Sequence, residues 1–449
     1  MKIVIVGMGN VGQELVAQLA QEGHDLIVVD SVDTTLAKMV NTYDCMAVCG
    51  NGASYDVLDK AQAETADLLI ACTPQDEVNI LCCMVAKKLG AKDTIARVRA
   101  PEYFTLFADK DLGLSMMVNP EYETALGIAR ILRYSSAIKI EPFANGRVDL
   151  VEVRITSDTG LVGVRLKDLN QHVKEKFLVC AVERDGVVYI PTGEFELRED
   201  DRIHITAPAK SISSLLRNIK GNKQTRNCII IGGNRIAFYL AKELGKNGVS
   251  VKIIEKDAKE CLNLCEKLQN VDIIEGDGTD QDLLLDEGLA HSDALICLSD
   301  VDEQNILVST FARSVGVEKV IARVEKRPYY KMLKASDIDS VISGKTSTAE
   351  HIVRYARGRQ NSLGSSSVNR LYRIVNDQAE ALGFTVGSDF EAKNKPLKDV
   401  RFKDNVLIAT IIRGDEIIIP GGNDAIKEGD CVVLVHVGRS PDDLNQFLE

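Results

Sequence analysis

The sequence predicts an α/β fold built from two doubly wound parallel sheets, each followed by a small α+β module. Three observations carry this prediction. Short Val/Ile-rich runs alternate with amphipathic helical stretches, the pattern of right-handed βαβ units. A glycine-rich turn directly follows the first apolar run, in Ile5-Val6-Gly7-Met8-Gly9. The whole arrangement then recurs half a chain further on, a period far too long for a solenoid repeat.

The repeat is ordered along its length. Ile5-Val6-Gly7 returns as Ile230-Ile231-Gly232, and Ile27-Val28-Val29-Asp30 as Lys252-Ile253-Ile254-Glu255. Gly50-Asn51-Gly52 returns as Gly276-Asp277-Gly278, Asp76-Glu77-Val78-Asn79 as Asp302-Glu303-Gln304-Asn305, and Ile95-Ala96-Arg97-Val98 as Ile321-Ala322-Arg323-Val324. In the first copy, strands are expected near residues 2–6, 26–30, 45–49, 67–71, 93–98 and 114–118. Helices are expected near 11–22, 33–42, 75–89 and 120–136.

Each copy continues into a smaller module with period-2 alternation, as in Val151-Glu152-Val153-Arg154-Ile155 and Leu407-Ile408-Ala409-Thr410-Ile411. Turns are expected at Arg184-Asp185-Gly186 and Gly414-Asp415, and matching turns before a last strand at Asp200-Asp201 and Gly429-Asp430. The domains are therefore 1–138, 139–221, 226–358 and 370–449. Polar Gly221-Asn222-Lys223-Gln224-Thr225 joins the copies, and a Gly/Ser-rich stretch from Gly358 to Asn369 is expected to be a flexible linker.

Composition narrows the function. Hydrophobic residues make up 45% and charged residues 27% of the chain, as in ordinary globular proteins. The net charge of −12 argues against general nucleic-acid binding, since phosphates would be repelled. No apolar run approaches the ~18 residues that a membrane span needs, and the N-terminus does not read as a secretory signal. A cytoplasmic location is expected, with any membrane role exercised through a partner. The 11 cysteines form no C-x-x-C pair and mostly sit in apolar stretches, so reduced, buried thiols are expected rather than a metal site.

Gly7-Met8-Gly9-Asn10-Val11-Gly12 is a dinucleotide fingerprint in context: it follows a strand, opens a helix, and precedes Asp30 at the end of the second strand. These features make the parallel-sheet domains Rossmann-like. Gly7 permits the tight turn, Gly9 lets the backbone approach a pyrophosphate, and Gly12 lets the helix pack on the strand. The helix N-terminus offers N–H groups and positive potential to phosphate. Asp30 would accept ribose hydroxyls and repel a 2′-phosphate, favouring NAD or an adenine nucleotide over NADP.

Arg97-Val98-Arg99 ends the fifth strand with both guanidinium groups on one face. They are either solvated or reach phosphates, and the repetition of Arg323 favours the second reading. Asn51-Gly52 and Thr73-Pro74 end the third and fourth strands, either as simple turns or as contacts to adenine and ribose. In the second copy the matching positions are Gly232-Gly233-Asn234-Arg235-Ile236, Glu255, Asp277-Gly278, Ser299 and Arg323. There Asn234 stands where Gly9 does and Glu325 where Arg99 does, so the two sites should differ.

No nucleophile–base arrangement is recognisable, and the second half of the chain repeats the nucleotide domain instead of supplying a substrate domain. A non-enzymatic nucleotide-sensing protein is therefore favoured over an NAD-dependent oxidoreductase. The order of fingerprint, Asp30, Asn51-Gly52, Thr73, Arg97 and Pro101-Glu102-Tyr103 resembles the RCK (regulator of potassium conductance, or KTN) family. The smaller modules resemble its C-terminal companion, with Arg184-Asp185-Gly186 and Ile190-Pro191 fitting that pattern.

Two complete copies in one chain are similar to the TrkA group within that family, the peripheral regulatory subunits of Trk potassium-uptake systems. The resemblance implies a homo-oligomeric ring, dimeric or tetrameric, docked beneath a membrane-embedded Trk transporter. It also implies NAD(H) and ATP/ADP as regulatory ligands, with Gly7, Gly9 and Gly12 at the phosphates, Asp30 at the ribose, and Arg97 with Arg99 at the distal phosphates. An exchanged helix near 120–136, or the smaller modules, would carry ligand-driven changes to neighbouring chains. A nucleotide-sensing regulator of another cation transporter, such as a proton antiporter, is the remaining alternative. Asn51 and Ala53 depart from the family's Asp and Thr, which the second copy keeps as Asp277 and Thr279.

Overall fold

A computed structural model describes residues 1–103, 113–133, 137–143, 148–171, 175–208, 211–212, 214–216, 225–326, 328–329, 333, 338, 340–360, 368–374, 379–437 and 443–449. The first copy begins β1 (Lys2–Val6), α1 (Asn10–Gln21), β2 (Asp25–Asp30), α2 (Asp33–Thr42), β3 (Cys45–Cys49) and α3 (Tyr55–Lys60). It continues β4 (Leu68–Ala71), α4 (Asp76–Leu89), β5 (Asp93–Arg97), β6 (Met116–Val118) and α5 (Pro120–Arg133). All six strands run parallel in the order β3-β2-β1-β4-β5-β6, and the reversal between β1 and β4 opens a crevice at their carboxyl ends. β1 and β4 are apolar on both faces because both faces are covered by helices.

The expected elements are present within a few residues. The short α3 was not anticipated, since six residues give too little periodicity to read. Residues 134–136 of the expected fifth helix lie outside the described ones. The module after α5 contains β7 (Ala137–Phe143), β8 (Val148–Arg154), β9 (Leu178–Arg184), β10 (Val187–Tyr189) and β11 (Arg202–Pro208), an antiparallel sheet in the order β10-β9-β11-β8-β7.

The second copy repeats the scheme with β12 (Asn227–Ile231), α6 (Arg235–Lys246), β13 (Ser250–Glu255), α7 (Ala258–Lys267), β14 (Val271–Glu275) and α8 (Gln281–Asp286). There follow β15 (Ala294–Cys297), α9 (Asp302–Ser314), β16 (Lys319–Arg323), β17 (Ser340–Ile342) and α10 (Gly344–Gln360). Its sheet order, β14-β13-β12-β15-β16-β17, mirrors the first. The last module has β18 (Val368–Ile374), β19 (Ala379–Thr385), β20 (Val406–Arg413), β21 (Glu416–Ile418) and β22 (Cys431–Val437), again antiparallel.

The expected turns form as the residues dictate. Asp185 and Gly186 both take positive φ, 53° and 78°, as a two-residue hairpin requires. Asp201 and Asp430, at the matching turns, each hold an arginine bidentately: Arg184 at 2.7 Å and Arg413 at 2.8–2.9 Å. The expected linker from Gly358 is corrected at both ends. Helix α10 continues to Gln360 and β18 starts at Val368, while 361–367 lie outside the described residues. A single helical Gly costs only about 1 kcal/mol, so Gly358 does not end the helix.

Like pairs with like. Both nucleotide-type domains form one compact unit, Met1–Ala129 with Arg226–Ala356, and both small modules form another. In the module unit the two sheets share a core in which Val148, Leu150 and Ala181 pack with Ala379, Ala409 and Val433. Buried Thr206 and Thr410 hydrogen-bond across it at 3.1 Å.

In the nucleotide unit the last helices are exchanged. Ala349, Ile352, Val353 and Ala356 of α10 complete the core of the first domain beside Ile3, Leu15 and Ile95. Reciprocally, Tyr122 of α5 stacks edge-on against Tyr239 of α6, centroids 5.4 Å apart, and Asn119 Nδ2 donates to the Tyr239 hydroxyl at 3.1 Å. Exchange thus occurs between the two copies of one chain. Duplication places a second copy within covalent reach, so the exchange closes internally.

The cysteines are free thiols among the described residues, seven of them buried. Burial pushes Cys72 up to about 12, so it stays a neutral packing residue.

Because Ile352 is fully buried in the core of the other copy, Ile352→Ala should destabilise the first domain by about 2–5 kcal/mol. Amide exchange in β1 during urea titration measures this. Faster exchange confined to the second copy would contradict the exchanged packing.

Candidate functional site

The first site grows from the ends of β1, β2, β4 and β5. Gly7 takes φ +96° and lies so close to the β4 end that an added Cβ would sit 2.8 Å from the Thr73 nitrogen. A Cβ on Gly12 would sit 1.9 Å from the Gly7 carbonyl, so both glycines are required by packing. Gly9 differs: nothing lies within 4 Å of where its Cβ would be, and it is exposed with Asn10. It is the N-cap of α1, and no side chain caps that helix. Met8 and Val11 turn their side chains into the core, so they can offer a ligand only backbone.

Asp30 is a strap as well as a candidate ribose acceptor. Its Oδ2 accepts the Met8 N–H at 2.6 Å and its Oδ1 the Val32 N–H at 2.9 Å, which fixes the glycine turn to the end of β2. Asn51 forms an Asx turn, its Oδ1 accepting from the Ala53 nitrogen, so it performs the turn job that Asp277 performs with Thr279. Gly52 is needed because a Cβ would strike Val6 at 2.1 Å.

Thr73 and Arg97 are tied by a residue that the motif reading did not single out. Buried Asn79 accepts the Thr73 N–H and hydroxyl, each at 2.7 Å. It donates to the Thr73 carbonyl at 3.0 Å and the Arg97 carbonyl at 2.8 Å. The available signal was its recurrence as Asn305, which makes the same four bonds to Ser299 and Arg323. Asp76 likewise accepts the N–H groups of Arg99 and Ala100. Pro74 is exposed beside Thr73.

The two arginines are not equivalent. Among the described residues Arg97 has no ion pair; burial, and then the charge of Arg99, lower its pKa. Arg99 is held by Glu121 in the first turn of α5, Nε to Oε1 at 2.7 Å.

The second site uses the same backbone with different chemistry. Glu255 straps Gly233 at 2.6 Å and Asp257 at 2.8 Å, in place of Asp30. Asn234 caps α6 itself, accepting from the Ile236 and Ala237 nitrogens and donating to the Leu298 carbonyl at 2.6 Å. Those N–H groups are the ones a pyrophosphate would use. Ile236 points its side chain into the core, whereas Arg235 is exposed. Arg323 is paired with Asp300 at 2.7 Å and Glu325 at 3.2 Å. Gly232, Gly233, Asn234, Glu255, Asp277, Gly278 and Ser299 line one cavity, together with Lys256 and Asp300; Arg235, Ile236 and Arg323 do not line it.

Strand order, glycine turn and acidic strap define a pair of dinucleotide-type nucleotide-binding domains. Residues 3–120 and 228–344 match the TrkA-N domain, and residues 150–220 and 382–447 match the TrkA-C domain; the chain belongs to this family. It is 32% identical to the Trk system potassium uptake protein TrkA homolog 1 of Methanosarcina mazei, with both chains covered in full. It is 31% identical to the Trk system potassium uptake protein TrkA of Vibrio alginolyticus, over 98% of this chain and 96% of that one. Its fold is similar to that of the GsuK RCK domain, with a TM-score of 0.63 at 18% identity, over 97% of this chain and 92% of that one.

Two outcomes follow from this geometry. Gly9→Asn places an amide in open space where it can cap α1, so melting temperature should hold or rise while NAD affinity falls by about 10- to 150-fold. Asn234→Ala should instead cost about 0.5–2 kcal/mol of stability. If calorimetry shows Gly9→Asn binding NAD normally, phosphate does not sit on the α1 N-terminus. Separately, the unaltered first site should prefer NAD to NADP because Asp30 repels a 2′-phosphate; equal affinities in the same titration would remove that role.

Proposed function

We propose that this chain is a nucleotide-sensing regulatory subunit of a Trk-type potassium transporter, cytoplasmic and peripheral to the membrane, with no catalytic step of its own. One observation carries the reading: two nucleotide-type domains complete each other by exchanging helices, in the position where an oxidoreductase would carry a substrate domain. No helix among the described residues is long and apolar enough to cross a membrane, and in this reading potassium passes through a membrane-embedded partner. The relatives' names, Trk system potassium uptake proteins, support a Trk-type membrane partner, and in this reading the chain assembles with identical copies into a ring beneath it.

The ligands are NAD(H), ATP and ADP. A regulator shifts an equilibrium only through unequal affinity for two conformations, so a residue must distinguish the ligands. Arg97 offers an unpaired charge at the distal end of the first site. A phosphate arriving there would relieve its desolvation. Arg99 is already engaged by Glu121, so a further phosphate would compete for it. Releasing Glu121 would free the first turn of α5 from the end of β5. That turn continues into Tyr122, which rests on Tyr239 of the other domain. Phosphate number at one site is thereby converted into a change in packing between the copies.

The test is potassium flux through the reconstituted membrane partner with each nucleotide. The Arg97→Gln/Arg99→Gln chain should respond equally to ATP and ADP, while still binding adenine nucleotides through the Asp30 region. A surviving ATP–ADP difference assigns the sensing to other residues. Absence of any effect of the unaltered chain on flux would overturn the regulatory reading itself.

A further inference from the structure

The second site is a formed cavity of about 200 Å³, below the ~300–1,000 Å³ of sites for drug-sized ligands. That is room for the nucleoside part of a nucleotide, and beyond it the cleft opens to solvent. Three features set its chemistry, and each of them has the opposite character in the first copy.

The first is the helix end. Asn234 occupies the N–H groups of Ile236 and Ala237, and a third bond, to the Leu298 carbonyl at 2.6 Å, locks its amide in place. A phosphate would have to displace a side chain held by three hydrogen bonds. At α1 no side chain intervenes.

The second is the arginine. Arg323 reaches Asp300 and Glu325 and is neutralised by both. The counterpart of Asp300 in the first copy is Pro74, and Arg97 has no ion pair among the described residues.

The third is the net field. Glu255, Asp277 and Asp300 line the cavity with Lys256, and of these carboxylates Asp300 is the one already paired with Arg323. The corresponding lining of the first site carries one carboxylate, Asp30, since Asn51 and Pro74 replace the other two. An anion beside this lining is repelled, with solvent screening the contribution of the exposed Asp277 and Asp300.

We propose that the second pocket binds an adenosine-class nucleoside that carries no phosphate on its 5′ carbon, which presupposes that the chain senses nucleotides at its first site. The lining is rich in acceptors and suits a ligand rich in donors. Each Glu255 oxygen holds one backbone N–H, so the carboxylate is fixed and retains lone pairs for ribose hydroxyls. Asp277 takes both bonds of its turn on Oδ1, which leaves Oδ2 for an exocyclic amine. The two copies would then read two different signals: a phosphorylated nucleotide in the first and a dephosphorylated nucleoside in the second. Exchanged helices α5 and α10 join the domains that hold them.

The experiment is calorimetric titration of the full chain carrying Gly9→Asn, using adenosine, AMP, ADP and NAD as separate probes, with the melting temperature confirming the fold. One adenosine per chain should bind at least tenfold more tightly than AMP, with ADP and NAD weaker still. Adding Asn234→Gly and Asp300→Asn should raise AMP affinity at least tenfold. A parallel measurement avoids the Gly9 change: the unaltered chain saturated with NAD should accept one adenosine without releasing NAD. The inference is overturned if ADP or NAD binds the Gly9→Asn chain as tightly as adenosine does, if adenosine does not bind, or if adenosine only displaces NAD. An unaltered chain that binds neither NAD nor ADP would instead refute the nucleotide-sensing reading, a separable outcome.

Discussion

The first turn of a helix carries N–H groups that need acceptors, and the two copies meet this constraint in opposite ways. At α1 the N-cap is Gly9, which has no side chain to offer. At α6 the N-cap is Asn234, whose amide supplies the acceptor from within the chain. One residue therefore decides whether the end of the fingerprint helix is available to an anion. The surrounding charges agree with that choice, because among the described residues Arg97 is left without an ion pair where Arg323 is given two. Helix capping, ion pairing and strand-end composition thus point the same way at each site, the consistency expected when a difference is built in rather than accidental.

Helix exchange gives this inequality a consequence. A domain whose core is completed by the other copy cannot alter its strand-end geometry in isolation. Glu325 shows the link on the second side: its carboxylate accepts the Gly344 N–H at 3.0 Å and the Ser343 hydroxyl at 2.8 Å, which anchors the start of α10. The same carboxylate contacts Arg323 at the strand end. Helix α10 then runs into the hydrophobic core of the first domain. On the first side, Arg99 and Glu121 stand in the corresponding relation to α5. Packed interiors respond to such shifts by switching between arrangements rather than deforming smoothly.

Much of this was legible in the sequence because the signals were local or repeated. Apolar runs of four to six residues bounded by turns gave the strands, and position alone singled out Asp30 and Glu255, though as ribose acceptors and not as the straps that the structure shows. Gly7 was legible as a turn and Gly12 as a packing position, and Asn234 was visible as a departure from the fingerprint. What it does with its three hydrogen bonds was not visible, because the Leu298 carbonyl is distant in sequence. The roles of Asn79 and Asp76 were hidden for the same reason, since each binds backbone about 20 residues away that only the folded sheet brings near. The ion pairs of Arg323 depend on side-chain direction at a strand end, which alternation alone does not resolve. Helix exchange was the hardest feature to read: α5 has the same apolar face whichever core it fills, so no pattern within it names its partner.

The central claim is that duplication has left one phosphate-holding site per chain, with the second kept for something else. Equilibrium dialysis of the full chain against labelled NAD measures this directly. The account predicts one NAD bound per chain at saturation, described by a single dissociation constant. Two NAD molecules per chain of equal affinity would contradict it.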